Sequence, residues 1–179
     1  SRNLGLKNAK YNYVAYTDAD CIVPENWLKT LSDGFEKYGL NDPKIAGVGG
    51  SNVPPQDSLH FYSVLRTFLT TYLGSHGSVQ GMTYSADKLV GHIPTINVLY
   101  HKKKLLEVAG FDITFGNIGE DQDLSYRFNK KGYQYYYLAN NQVYHKLRSN
   151  FRKWTKNMYV YGKGRMWLMR KHPQCIKPV

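Results

Sequence analysis

Five of the chain's 13 acidic residues are packed into two short segments, and any fold open to this sequence has to accommodate them. The first segment, Thr17-Asp18-Ala19-Asp20, directly follows the β-type run Tyr13-Val14-Ala15-Tyr16. The second is Gly119-Glu120-Asp121-Gln122-Asp123, with Asp121 standing 101 positions after Asp20. Carboxylates this close repel one another unless something positive holds them, and the usual holders are a divalent cation and a proton in transit. A fold that joins the two segments makes a metal-assisted site for phosphate chemistry.

The rest of the chain alternates between strand and helix signals. Ser1 to Ala9 reads as a helix, and Tyr13 to Tyr16 as a strand. Pro24 opens a helix with the apolar stripe Trp27, Leu28, Leu31 and Phe35, which Gly39 ends. Ile45 to Val48 reads as a strand running into Gly49-Gly50, and Leu59 to Leu73 as a helix. Gly74 to Gly91 is polar and loop-like. A strand is expected over Ile93 to Tyr100, then helices over Lys102 to Val108 and Glu120 to Lys131. Tyr133 to Leu138 and Gln142 to His145 read as two strands, and Asn150 to Lys171 as a basic, aromatic helix. The alternation predicts an α/β sheet flanked by helices, in which ligands gather at the carboxyl ends of strands. Asp18 and Asp20 stand at such an end.

With 179 residues, 42% hydrophobic and 21% charged, the chain is a globular domain rather than a disordered segment. Its charge is unevenly spread. Residues 1–123 hold 11 Lys/Arg and 13 Asp/Glu, a net −2, while residues 124–179 hold 13 Lys/Arg and no acid, a net +13. The excess points to an anionic partner met by the C-terminal third, although a solvated basic face accounts for it equally well. The sixteen Tyr suit a half-wet surface such as a sugar site or a membrane interface. Two cysteines, Cys21 and Cys175, make no disulfide framework and fit a reducing compartment. No signal peptide is visible and no apolar run reaches spanning length. The start at Ser1, inside a helical pattern, reads as a piece of a longer protein.

In an extended segment Asp18 and Asp20, two apart, point the same way and suit a hard cation with oxygen ligands. A plain turn also favours Asp at these positions. Glu120, Asp121 and Asp123 suit the first turn of a helix, where one carboxylate would be enough for capping, so another is free to act as base or ligand. His145 follows a strand. Asn97 lies in an otherwise apolar strand, and its amide must find partners in protein or ligand.

The ordered set Arg2-Asn3-x-Gly5, Tyr16-Thr17-Asp18-Ala19-Asp20-Cys21-Ile22-Val23-Pro24, Gly47-Val48-Gly49-Gly50, Asn97-x-x-Tyr100, Gly110-Phe111-Asp112, Glu120-Asp121-x-Asp123-Leu124-Ser125-Tyr126-Arg127, Lys131-Gly132-Tyr133 and Val143-x-His145 resembles the family 2 glycosyltransferases. The resemblance covers nearly the whole chain. It implies a GT-A fold with a partial Rossmann-like sheet, and an inverting transfer from a nucleotide-sugar donor to an acceptor hydroxyl. Residues 1–149 would be the C-terminal portion of the catalytic domain, and residues 150–179 a basic helix and tail near a membrane. Asp18 and Asp20 match the family's D-x-D motif: Asp20 would hold Mn2+ or Mg2+ on the donor diphosphate, and Asp18 the ribose or the metal's water. His145 is implied as a further metal ligand. Asp121 matches the catalytic base, with Glu120 and Asp123 supporting it. Arg2 and Asn3 match a donor-side helix, and Gly49, Gly50 and Asn97 would line the sugar and acceptor space with Asp123.

The ending Tyr161-Gly162-Lys163-Gly164-Arg165 with Arg170-Lys171-His172-Pro173 is similar to members that build exopolysaccharides or glycolipids at the inner face of a membrane. This implies a saccharide or lipid-linked acceptor, an anionic membrane surface met by residues 150–171, a cytoplasmic setting peripheral to or tethered at the inner face of the membrane, and no nucleic acid. The family's opening strand–helix–strand unit, which holds the nucleotide base, has no counterpart here and would precede Ser1. A Q-x-x-R-W motif is absent, which fits single addition rather than polymerisation. Two rivals stand beside this reading. In a haloacid-dehalogenase-type phosphohydrolase Asp18 would be the nucleophile and Asp20 the acid/base. A nucleic-acid binder would use the basic, Tyr-rich surface, and it leaves both acidic segments unexplained.

Overall fold

The computed structural model describes residues 1–55, 60–71, 74, 79, 83–116, 118–146 and 150–175. Among them six strands form one sheet: β1 (Tyr13–Thr17), β2 (Cys21–Ile22), β3 (Ile45–Val53), β4 (Lys88–Val90), β5 (Asn97–His101) and β6 (Gln134–His145). Their order is β1-β5-β3-β6-β2, with β4 also paired to β6. The helices are α1 (Arg2–Asn8), α2 (Trp27–Gly34, continuing as a π-helical turn over Phe35–Gly39), α3 (His60–Leu69), α4 (Lys102–Glu107), α5 (Glu120–Lys130) and α6 (Phe151–Lys171). The expected α/β architecture holds. The sheet is mixed, however: only β3 and β6 pair in parallel among the described strands, and the other four pairings are antiparallel.

Side chains alternate across the sheet with the period of two that strands impose. Val98 and Tyr100 of β5, with Tyr135 and Tyr137 of β6, face a core shared with Leu6 of α1, Leu105 of α4 and Leu124 and Phe128 of α5. Leu99 and Leu138 face the other way, onto Leu31 and Phe35 of the α2 segment. Strand β3 is buried along its whole length, as befits a central strand covered on both faces. The tyrosines are therefore in good part core residues. Tyr100, Tyr135 and Tyr137 are fully buried, and Phe128 packs against Tyr100 and Tyr135 with ring centroids 6.0 and 5.8 Å apart.

Several boundaries differ from the sequence expectation for local physical reasons. The helix expected from Pro24 begins at Trp27, after a turn in which Trp27 N donates to Pro24 O at 3.0 Å. The strand expected from Ile93 begins at Asn97. Pro94 has no N–H for a ladder, and its carbonyl instead accepts from Asn97 N at 3.3 Å. The two expected strands at 133–138 and 142–145 are the single strand β6, which continues through Asn140-Asn141. Its register against β3 shifts between Gly49 and Ser51. At that bulge Gly50 lies so close to Asn141 that a Cβ would overlap the Asn141 carbonyl, which is why a glycine stands there. The expected helix at 59–73 is α3, with Leu59 and Leu73 outside the described residues. Much of the Gly74–Gly91 loop (residues 75–78 and 80–82) also lies outside them.

Candidate active site

Strands β1 and β3 both run antiparallel to β5, and β6 runs parallel to β3. The carboxyl ends of β1, β3 and β6 therefore lie along one edge of the sheet, where an open α/β sheet carries its ligands. A cavity of about 590 Å3 opens at that edge. Its walls come from distant parts of the chain: Arg2 of α1, Asp18 beyond β1, Asn52 of β3, the segment from His92 to Ile96, the start of α5 from Ile118 to Gln122, and His145 at the end of β6. Phe68 and Leu69 of α3 and Trp154, Met158, Tyr161 and Arg165 of α6 close the apolar side.

The two acidic segments meet here. Arg2 lies between them, with Nη2 3.4 Å from Asp18 Oδ1 and Nη1 donating to Glu120 Oε1. The guanidinium is a protein-supplied part of the positive charge that the segments require. Glu120 is 7% exposed, and burial raises its carboxyl above the ordinary value. Neighbouring Asp121 raises it further, while its own backbone N–H and Arg2 work against the shift. Asp121, next in the first turn of α5, lines the cavity; its Oδ1 accepts from Gln122 N at 2.8 Å. No cation pairs with it among the described residues. Gly119, with φ +82°, supplies the left-handed turn that starts α5 at this point.

Asp18 and Asp20 are not in an extended segment. Cys21 N donates to Asp18 O at 3.1 Å, closing a turn that separates the two carboxylates. Asp18 turns to Arg2 and the cavity. Asp20 turns to His145, with Oδ1 3.4 Å from Nε2. The ligand atoms of Asp20, Cys21 and His145 lie within 4.8 Å of one another, the one such group of three among the described residues. His145 Nδ1 is buried with no hydrogen-bond partner among them. This carboxylate, thiol and imidazole set fits a divalent cation, with Asp18 farther round the cavity.

Other expected site residues serve the scaffold. Asn97 is fully buried: its Oδ1 accepts from Trp27 Nε1 at 2.8 Å, and its Nδ2 donates to Ser51 O and Asn141 O at 2.9 and 3.2 Å. Its partners are thus protein, and it does not line the cavity. Gly49 and Gly50 are also interior; Gly49 packs against the Asn97 carbonyl and Ile93. Asn3 clamps the Phe111 backbone, donating to its O at 2.7 Å and accepting from its N at 2.9 Å. Asp123 is fully buried and turned from the cavity, accepting from Arg127 Nε at 2.7 Å and lying 2.8 Å from His172 Nε2. With the Lys171–Asp112 ion pair, it fastens the end of α6 to α5.

Residues not expected at the site line it instead. Half-buried His92 carries a chain of polar contacts, Nδ1 to Ser125 Oγ at 2.8 Å and Oγ to Tyr135 OH at 3.1 Å. Burial lowers its pKa, opposed by Asp121 and assisted by Arg165. Asn52 Oδ1 and Thr95 Oγ1, on the cavity wall, are buried with no hydrogen-bond partner among the described residues, so they are ready acceptors for a ligand. None of the three sits in a motif; only their position in space marks them.

The fold is that of the GT-A transferases. A family model described as "Glycosyl transferase family group 2" matches residues 13–176, and the chain belongs to that family. Over 182 residues it is 28% identical to a pre-mycofactocin glycosyltransferase of Mycobacterium tuberculosis, covering 100% of this chain and 36% of that protein. Over 138 residues it is 28% identical to a poly-beta-1,6-N-acetyl-D-glucosamine synthase of Staphylococcus aureus, covering 75% of this chain and 30% of that one. The chain thus spans about a third of these relatives. Among solved structures it is similar to a Pyrobaculum calidifontis mannosyltransferase in complex with GDP-Man and Mn2+, with TM-score 0.60, 18% identity and coverage of 99% and 44%. It is also similar to GalNAc-T7 with UDP, GalNAc and Mn2+, with TM-score 0.52, 15% identity and coverage of 98% and 37%. The family match goes with the glycosyltransferase reading rather than the phosphohydrolase one.

Proposed function

We propose that this chain carries the catalytic edge of a nucleotide-sugar glycosyltransferase that transfers its sugar to an acceptor hydroxyl with inversion. One observation carries the reading: a single cavity gathers Asp18, Arg2 and His145 with Glu120 and Asp121. Asp20 and His145, with Cys21 beside them, form the cation end. A bound Mn2+ or Mg2+ would neutralise the leaving diphosphate there. Both solved relatives were captured with Mn2+ and a nucleotide, which supports this arrangement. Asp18 is placed to receive donor ribose or metal-bound water, with Arg2 holding its carboxylate.

Asp121 is the base. It takes the acceptor hydroxyl's proton as that oxygen attacks the anomeric carbon from the face opposite the leaving group. Glu120, held by Arg2, fixes the start of α5, and its negative field favours positive charge developing on the sugar ring. The wall of Phe68, Trp154, Met158 and Tyr161 suits a saccharide face or the first carbons of a lipid-linked acceptor. Exposed aromatic and basic side chains on the outer side of α6 support the lipid-linked form, met at an anionic membrane surface. No described helix is long and apolar enough to cross a membrane.

The test is release of nucleoside diphosphate from a panel of nucleotide sugars by the full-length protein with Mn2+. Asp121→Asn is expected to keep donor affinity and lower kcat by at least roughly a hundredfold, the lower end of what a general base supplies. Asp20→Ala is expected to lose Mn2+-dependent donor binding by calorimetry. Near-normal transfer by Asp121→Asn would remove Asp121 as base.

A further inference from the structure

Cys21 stands beside the cation end of the proposed site, and its place is set from two directions. Strand β2 pairs antiparallel with the end of β6, so that Cys21 stands directly opposite His145. Lys146 N donates to Asp20 O at 3.2 Å, which draws the preceding residue onto the same strand end. Directly opposed side chains on paired strands are neighbours. The result is the grouping of carboxylate, thiol and imidazole within 4.8 Å. Metal bonds to such donors are about 2.0–2.3 Å, so donors sharing one tetrahedral ion sit roughly 3.3–3.7 Å apart. Asp20 Oδ1 and His145 Nε2 are already 3.4 Å apart, and the grouping as a whole closes by no more than about 1.5 Å, within the range of side-chain motion. His145 Nδ1 has no partner among the described residues, so no described group competes to turn the ring away from Asp20.

We propose that Cys21 is a third protein ligand at the cation end of the cavity, and that the Asp20–Cys21–His145 set takes a thiophilic divalent cation, Zn2+ or Co2+, more tightly than Mn2+ or Mg2+. The inference rests on the cation-site part of the proposed function. Thiolate and imidazole select the softer ions, whereas Mn2+ and Mg2+ favour all-oxygen sites. As the sulfur–metal bond forms, the thiol S–H gives its proton to solvent, one proton per ion bound. Zn2+ would then compete with the ion that holds the donor diphosphate.

The experiment is a titration of the full-length protein with Co2+ alone, without nucleotide, followed by near-ultraviolet absorption. A sulfur-to-cobalt charge-transfer band saturating at one equivalent is the expected result. It should disappear in Cys21→Ser, persist in Cys175→Ser, and also disappear in Asp20→Asn, where the thiol is intact. Cys21→Ser should weaken Zn2+ binding by at least roughly tenfold, the least that even outer-shell partners of a metal contribute. Absence of the band from the unaltered protein, or its survival in Cys21→Ser, would overturn the proposal. The readout needs no sugar donor, so donor turnover without a band sinks this inference alone, and a band without donor turnover sinks only the transfer reading.

Discussion

At the scale of single residues, charge is settled by partners far away in sequence. Arg2 reaches Asp18 and Glu120, which are 16 and 118 positions distant, and so relieves the repulsion that made the acidic segments conspicuous. His92 shows the opposite balance. Half-buried beside Ser125, it feels Asp121 and Arg165, and desolvation pulls its pKa below the ordinary 6.5. The sign follows directly. Above 6.5 neither the folded nor the unfolded form binds the proton. As pH falls from 6.5 towards the lowered folded value the unfolded chain takes it up first, so the fold loses stability over that window. Urea unfolding at a series of pH values should show this loss in the unaltered protein and a flatter profile in His92→Gln. Identical slopes for the two would rule out His92 as the group that titrates.

The acidic segments stood out in the sequence because carboxylates are sparse elsewhere and each segment is local. Asn97 and the glycines of β3 were legible only as oddities. A polar or small residue in an apolar strand reads alike whether it meets ligand or protein. What decides the matter is a partner such as Trp27 or Asn141, 70 and 44 positions away. Sequence likewise carries no mark of Asn52, Thr95 or His92, whose importance is their orphaned or lining position.

At the scale of elements, α6 is where pattern and structure agree most usefully. Trp154, Met158 and Tyr161, at helical spacing, line the cavity rather than a closed core, whereas Phe151 at the helix start is exposed. Two glycines break its middle, and both look like flaws by propensity. Their surroundings separate them. A Cβ on Gly162 meets nothing within 4 Å. A Cβ on Gly164 would come within 2.5 Å of Ile118 Cγ2 and 3.3 Å of the Ile118 carbonyl, next to the turn that starts α5. Gly162→Ala should therefore stabilise the protein by about 0.5–1 kcal/mol, the ordinary helical gain. In Gly164→Ala the same gain is set against overpacking, which costs about 1–3 kcal/mol. The net is a loss of up to about 2.5 kcal/mol, and α6 pushed off the Ile118–Gly119 turn. Paired thermal melts test this, and a Gly164→Ala protein as stable as Gly162→Ala would show that the close approach carries no constraint.

At the scale of the whole molecule, the charge asymmetry has a direction in space. The inward side of α6 is occupied by the cavity wall and the Gly164 contact, and the Asp123–His172 and Asp112–Lys171 contacts pin its far end. The side left in solvent carries Arg152, Lys156, Lys163 and Arg170 together with Tyr159, Met166 and Trp167, and no acid. Basic residues beside exposed aromatics are the composition of a helix that lies in a bilayer's interface plane. Each Lys or Arg near an anionic leaflet contributes about 1 kcal/mol, so four amount to about 4 kcal/mol, on the order of a thousandfold in partitioning. The aromatics add a part that salt does not screen. Flotation of the full-length protein with phosphatidylserine-containing vesicles should show binding that weakens as ionic strength rises past about 0.15 M. Phosphatidylcholine vesicles should recover far less. Lys156→Glu with Lys163→Glu should remove most of the anionic preference, while Mn2+-dependent donor binding reports whether the cavity survives the change. Equal recovery on both vesicle types, or none on either, would return the basic face to the role of a solvated surface. A positive result would place the cavity, whose wall is the other side of the same helix, within reach of an acceptor hydroxyl held at the membrane surface.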